Sequence, residues 1–238
     1  MKKINKIFLS ILFVLPSVTV FSQFTPGRWA VGGEFSFVNS RSDYSTTNTS
    51  FSSGTSSGLN SKIYAGQFLT EKSYLHAILN FDITKVKNNF ESTVGGLEVR
   101  SSLSNIYTFG AGAGWRRYFP ANKTLGFFVQ GQATISRTWV INEVYFEHND
   151  TVTQETRTSQ QFNSLRLNIN PGAYVNVGKH WQFTLNLGSL YYIQTWYPKG
   201  QDLYGTRTSA FGMDVNIFDF KLGVLYLIGK TPVIIENK

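Results

Sequence analysis

The stretch Leu165–Ile193 reads LRLNINPGAYVNVGKHWQFTLNLGSLYYI. In its first arm Leu165, Leu167, Ile169, Pro171, Ala173, Val175 and Val177 hold every second position, and none is polar. Arg166, Asn168, Asn170, Gly172, Tyr174 and Asn176 lie between them. After Gly178-Lys179-His180 the alternation resumes, with Trp181, Phe183, Leu185 and Leu187 on one side and Gln182, Thr184, Asn186 and Gly188 on the other. Alternation sustained this long means strand, because successive side chains point to opposite faces. A three-residue turn containing glycine is a common hairpin connection. With that turn Val177 faces Trp181, Val175 faces Phe183, Ala173 faces Leu185 and Leu167 faces Tyr191. On the polar face Asn176 meets Gln182, Gly172 meets Asn186, Asn170 meets Gly188 and Arg166 meets Tyr192. One long hairpin therefore carries a wholly apolar face and a polar face with glycines.

The same period runs through the rest of the chain. Trp29, Val31, Gly33, Phe35 and Phe37 alternate with Ala30, Gly32, Glu34 and Ser36 as a first strand. Leu59 to Leu69 makes a second, with the weakest alternation. A third sets Leu75, Ala77, Leu79, Phe81 and Ile83 against His76, Ile78, Asn80, Asp82 and Thr84. A fourth sets Tyr107, Phe109, Ala111, Ala113 and Trp115 against Thr108, Gly110, Gly112, Gly114 and Arg116; its parity becomes ambiguous over Arg116 to Phe119. A fifth sets Leu125, Phe127, Val129, Gly131, Ala133 and Ile135 against Phe128, Gln130, Gln132, Thr134 and Ser136. The eighth sets Phe218, Phe220, Leu222, Val224, Tyr226 and Ile228 against Asp219, Lys221 and Gly223. Eight strands result, each reaching the roughly 9–11 residues needed to cross a bilayer at a tilt.

Connections alternate long and short. Arg41 to Ser57 is Ser/Thr/Asn/Gly-rich and reads as a polar loop with nothing to bury. Segment 86–102 alternates in part around Gly95-Gly96, a two-residue hairpin signal. Segment 141–162 reads as a hairpin with His148-Asn149-Asp150 at its tip, and 197–210 as the last long connection. Thr70 to Ser73, Pro120 to Lys123 and Gly178 to His180 are short turns.

The chain begins with Met1-Lys2-Lys3-Ile4-Asn5-Lys6, then a short apolar run to Val20 and small residues before Gln23. That pattern is a secretory signal peptide over 1–22, leaving 23–238 as one domain. The apolar run is shorter than the ~20 residues a spanning helix needs. The 238 residues contain no cysteine, which excludes disulfides, thiolate catalysis and lipid acylation at cysteine. Of the formal charge of +8, Lys2, Lys3 and Lys6 contribute three, and the remaining cations do not cluster, so nucleic acid is not an expected partner.

Period 2 fits both a water-soluble barrel with an apolar interior and a membrane barrel with a polar one. Three features select the second. One face carries Glu34, Asp82, Arg116, Gln130, Gln132, Arg166, Asn168, Asn170, Asp219 and Lys221 at matching parity, groups that can satisfy one another inside a narrow barrel. Trp29, Trp115, Trp139, Trp181, Tyr191 and Trp196 recur near strand ends, as membrane-interface aromatics do. Loops are long on one side and short on the other. The fold class is all-β: an eight-stranded antiparallel up-and-down transmembrane β-barrel. Proline at 171 cannot donate a ladder bond, which predicts a local bulge there.

Ser61 to Val86, Gly110 to Phe119 with its Arg117-Tyr118-Phe119-Pro120 ending, and Asn170-Pro171-Gly172-Ala173-Tyr174 resemble the small outer-membrane protein β-barrel family of Gram-negative bacteria, often labelled porin family. The Gln23 start after Val-Phe-Ser resembles secreted Bacteroidetes proteins. The resemblance implies residence in the outer membrane, lipids as surroundings and a monomer. It departs from the family's terminal aromatic, because a tail, 229–238, follows Tyr226 and Ile228.

The chain offers three kinds of candidate site. The interior charges form either a packed network or a narrow conduit. His76, His148 and His180 share no metal-ligand spacing, so no metal or cofactor is expected. Small outer-membrane barrels include a lipid A deacylase and a palmitoyltransferase that use His with Ser and an acid. Here the sole comparable cluster is His148 with Glu147, Asp150 and Thr151, which reads as a solvated turn, so no enzyme is expected. The segments 41–57, 86–102, 141–162 and 197–210 project together and are available to surface partners. A structural or surface-interaction role follows. The alternative is a narrow pore or a carrier for small or hydrophobic solutes, with Ile78, Phe128, Leu190 and Tyr192 lining an inner cavity.

Overall fold

A computed structural model of the protein describes residues 24–47, 50–92, 98–122, 124–148, 151–198, 207–214 and 221–229. The strands are β1 (Trp29–Thr47), β2 (Ser50–Thr70), β3 (Ser73–Ser92), β4 (Glu98–Pro120), β5 (Leu125–His148), β6 (Thr151–Val177), β7 (Trp181–Asn186), β8 (Ser189–Trp196), β9 (Thr208–Asp214) and β10 (Lys221–Ile228). All pairings are antiparallel. β1 to β6 pair in sequence, the lower part of β6 pairs with β7, β7 with β10, and β10 with β1. That circuit is a closed ring of eight staves. β7 and β8 are two halves of the seventh stave, since both pair with β6, and β9 and β10 stand as two halves of the eighth.

The barrel is turned inside out relative to a soluble one. Phe127 is 56% exposed while its neighbour Phe128 is 1% exposed. Along every stave the residues of the apolar face look outward: Val31, Phe35, Ile63, Leu79, Phe109, Ile135, Ile169, Phe183 and Leu222 are all exposed, and buried polar, small, aromatic or aliphatic residues alternate with them inside. A closed ladder leaves no stave of the ring without backbone partners, which is the condition for crossing lipid. No helix among the described residues is long and apolar enough to cross a membrane.

The parity over Arg116 to Phe119 is uninterrupted: Arg116 and Tyr118 are buried and Phe119 is exposed. Three sequence-based expectations need correction. The segment 41–57 is not a loop. β1 runs to Thr47, β2 starts at Ser50, and the two stay paired from Trp29↔Gln67 out to Thr47↔Ser50. Serine and threonine give no burial signal, yet a hairpin ribbon already in register continues its hydrogen bonds without one. The segments 86–102 and 141–162, read as hairpins, are paired as such: β3–β4 out to Ser92↔Glu98, and β5–β6 out to His148↔Thr151 with a shift between Val144 and Tyr145. The expected turn at Gly95-Gly96 and the tip residues Asn149-Asp150 lie outside the described residues.

The second correction is the bulge. Pro171 pairs regularly with Val129, with no shift at that position. Its carbonyl accepts from Leu187 N–H at 3.0 Å, so its backbone donor would have faced the seventh stave. There the strand breaks between Asn186 and Ser189, at Gly188, whose φ of +150° suits glycine. The missing donor is thus absorbed on the neighbour.

The third follows from the second. The hairpin register holds from Val177↔Trp181 to Gly172↔Asn186, then slips by one, so Leu167 pairs with Tyr192 and Asn168 with Tyr191. A one-residue slip reverses the faces. Leu190 and Tyr192 therefore share the outer face with Leu167, and Tyr191 turns inward, so it is no interface aromatic. β9 also starts inside the segment read as the last connection, at Thr208.

Candidate functional site

The interior is built in layers along the barrel axis. At the short-turn end an aromatic layer fills it. Phe24, ahead of β1, is 5% exposed and stacks on Phe68 at 5.0 Å and Tyr118 at 4.4 Å, with Tyr174 edge-on at 5.6 Å. Tyr74, Leu227 and Ala30 complete the layer. The chain holds Phe24 there by a turn: Gly27 N–H donates to Phe68 O and Arg28 N–H to Thr25 O. Arg28 then closes the seam between the ring's ends, donating to Lys179 O at 2.7 Å and Leu227 O at 3.3 Å.

Above it lies Arg116, 1% exposed and in one register row with Tyr74, Gln130 and Asn170. Its Nε donates to Gln130 Oε1 at 2.6 Å and its Nη2 to the same oxygen, while its guanidinium stands 4.2 Å over the Phe128 ring. No carboxylate pairs with it among the described residues. An aromatic face, an amide and the Tyr118 hydroxyl, 3.5 Å from Nη1, carry the cation instead. The chain of contacts continues: Tyr118 O–H donates to Gln182 Oε1 at 2.9 Å, Gln182 Nε2 to Asn176 Oδ1 at 3.0 Å, and Gln130 Nε2 lies 3.3 Å from His76 Nε2. Glycines make room for these groups. A Cβ at Gly114 would strike the His76 ring, and one at Gly172 would strike Phe128.

The third layer contains an interior ion pair. Lys62 Nζ lies 3.4 Å from Glu34 Oε1 and donates to Gln132 Oε1 at 3.0 Å; Asn186 Nδ2 donates to Glu34 Oε2 at 2.6 Å. Above this layer the interior opens into a cavity of about 200 Å³, with Asp82, Arg166, Asn168 and Lys221 on its wall.

Of the ten polar residues assigned to the interior from sequence, Glu34, Arg116, Gln130, Gln132, Asn168 and Asn170 are buried inside the barrel. Asp82, Arg166 and Lys221 face the cavity, and Asp219 lies outside the described residues. The described ones group by layer. Arg116 and Gln130 belong to the middle layer, and Glu34 and Gln132 are joined through Lys62, which sequence reasoning missed. Lys62 was hidden because β2 mixes its faces, with Gln67 outward and Phe68 inward. Phe24 was missed because it precedes the first alternating strand, though an apolar residue beside the expected cleavage site was a usable signal. Of the hydrophobic lining expected for a carrier, Ile78 and Phe128 are buried, Leu190 and Tyr192 are not inside.

His76 is enclosed between Tyr74 and Tyr64, 4.8 and 5.1 Å away, far from any strand end. His180 sits in its turn, its Nδ1 2.9 Å from Leu227 O. The His148 side chain lies outside the described residues. No group of three metal-ligating side chains occurs among the described residues.

No family model matches the chain, and no curated protein matches it significantly. Among solved structures it is similar to the Neisserial surface protein A, with 12% identity, 83% of this chain and 96% of that one covered, and a TM-score of 0.30. It is similar to the attachment invasion locus protein Ail of Yersinia pestis, with 12% identity, 86% and 100% coverage and a TM-score of 0.32. It is similar to the outer membrane protein OprG from Pseudomonas aeruginosa, with 11% identity, 89% and 100% coverage and a TM-score of 0.34. Such low scores leave the barrel to be understood from its own register and side chains.

Proposed function

We propose that the chain is an integral outer-membrane β-barrel, exported by a cleaved signal peptide over 1–22, whose barrel is a closed anchor and whose long hairpins are the working surface. The observation that carries this is strand length. β1 to β6 run 19 to 27 residues, whereas about 9–11 cross a bilayer. Outward positions turn charged beyond Ile83 on β3 and Ile141 on β5, where the paired ribbons carry Lys85, Lys87, Glu143 and Arg157 outward. Ribbons ordered in this way hold a recognition surface at low entropic cost, with edges available to a partner's strand.

The filled layers at the short-turn end favour an anchor over a pore. Planar-bilayer recordings should be silent, and discrete conductance steps would sink the closed-anchor reading. The surface role is tested by deleting 144–154. Cross-linking on intact cells should then lose the captured partner while the barrel keeps its heat-modifiable gel migration. Capture that survives the deletion rules out that hairpin as the working surface.

A further inference from the structure

Two consecutive arginines face opposite ways on β4. Arg116 is buried in the barrel, so Arg117 stands on the outward, apolar face. It is not past the end of that face. Trp115 flanks it on the membrane side, and the Phe119↔Phe127 pair lies between it and the turn that follows β4. Leu75 and Val129 border it on β3 and β5. All five of these side chains are exposed. Arg117 Nη1 donates to Ser73 Oγ at 3.0 Å, its one side-chain hydrogen bond among the described residues. No acid there makes an ion pair with it, Glu71 of the adjoining turn included.

A guanidinium offers five N–H donors, and its planar fork takes phosphate oxygens two at a time. Set among rings at the membrane interface, it meets the phosphates of the lipid before any other anion. We infer that Arg117, steadied by Ser73, is a binding site for the phosphate of an anionic phospholipid in the leaflet at the short-turn end. Lys72 favours an anionic headgroup over a zwitterionic one. It is exposed in the turn before β3, and Tyr118 N–H donates to its carbonyl at 2.8 Å, which holds that turn against β4. A second cation at headgroup level attracts net negative lipid and repels a headgroup ammonium. The surface beside Trp115 suits the acyl chain. Gly131 shares its row and has open space where a Cβ would stand, and the Ala113↔Ala133 pair continues that low ground towards the membrane centre. The site rests on the reading of the chain as a membrane barrel, and not on the hairpin surface.

The full chain is folded into phosphatidylcholine vesicles that carry, as a minor lipid, either phosphatidylglycerol or phosphatidylcholine brominated near the top of the acyl chains. Quenching of tryptophan fluorescence then reads which lipid stands beside the rings. Brominated phosphatidylglycerol should quench in excess, surrounding Trp115 about tenfold beyond its share of the bilayer, the worth of one charge-assisted contact. Unlabelled phosphatidylglycerol should compete the excess away, a measurement that needs no variant. Arg117→Gln should remove the excess, with heat-modifiable migration identifying the folded fraction, and Trp115→Phe should remove it by removing the reporter. Lys179→Gln takes one charge from another turn at the same end and should leave the excess in place. Equal quenching by the two lipids overturns the site, as does an excess that survives Arg117→Gln or Trp115→Phe, or one that Lys179→Gln removes as fully. Quenching by neither lipid would overturn the membrane reading together with the site, which separates the two failures.

Discussion

The two ends of this barrel solve the same problem in different ways. At the short-turn end the interior is filled by rings and amides whose partners come from six different strands. At the hairpin end order comes from backbone ladders between neighbours in sequence, with the described side chains half-buried or exposed. Stability should therefore be concentrated at the first end and tolerance to change at the second, since buried packing outweighs solvated contacts.

The largest expected effect comes from the join between the two. Gly188→Val puts a β-branched residue where φ is +150°, and a strand that straightens through it loses the slip, so that Leu190 and Tyr192 turn into the interior and Tyr191 turns out. Most of the chain should then fail to reach the heat-modifiable form on a gel. Normal folding of that variant would show that the face reversal is not required. Phe24→Ala comes next. It removes a buried ring stacked on two others, at a cost of about 3 kcal/mol, read as a lowered urea midpoint. A cost below about 1 kcal/mol would mean that the aromatic layer closes without it.

The hairpin end supplies the contrast. Arg157 lies 3.5 Å from Glu143 with its own side chain 63% exposed. Arg157→Ala should shift the same urea midpoint by less than about 1 kcal/mol. A cost equal to that of Phe24→Ala would erase the difference between the ends. The smallest signal is a titration. Tyr145 donates to Glu143 Oε2 at 2.8 Å, and this hydrogen bond holds its phenol above the ordinary tyrosine range. A raised folded value means the contact's contribution is full below the ordinary range and disappears as pH rises through the folded one. Phenolate absorbance of the parent minus Tyr145→Phe should show that late component, and Glu143→Gln should move it to lower pH. If Glu143→Gln leaves it in place, the hydrogen bond is not its cause.

The staves were legible because one face must be apolar along its whole length, and eight alternating runs stated that plainly. The sidedness of Glu34, Gln130, Gln132 and Asn168 followed from the same parity. What was not legible has specific causes. Around Leu187-Gly188-Ser189-Leu190-Tyr191-Tyr192 both parities offer acceptable residues, since tyrosine suits either face, so a one-residue slip left no trace in the pattern. The ribbon from Arg41 to Ser57 was hidden because its strands bury nothing and only the ladder holds them. Which interior groups pair with which, such as Lys62 with Glu34 or Arg116 with Gln130, depends on shear between staves and on side-chain reach. Alternation carries neither.

Arg28 reaches Leu227 across 199 positions of chain, and Phe24 sits beneath the ring that this contact helps to complete. Every other stave can zip to its sequence neighbour as a local hairpin, but β1 and β10 cannot meet until nearly all of the chain is present. Contacts of such separation are the slow ones in folding. Assembly should therefore run as a growing curved sheet that closes last between its first and last staves. The residues just after the expected cleavage point would become enclosed only at that moment, making burial of Phe24 a marker of the final step of assembly.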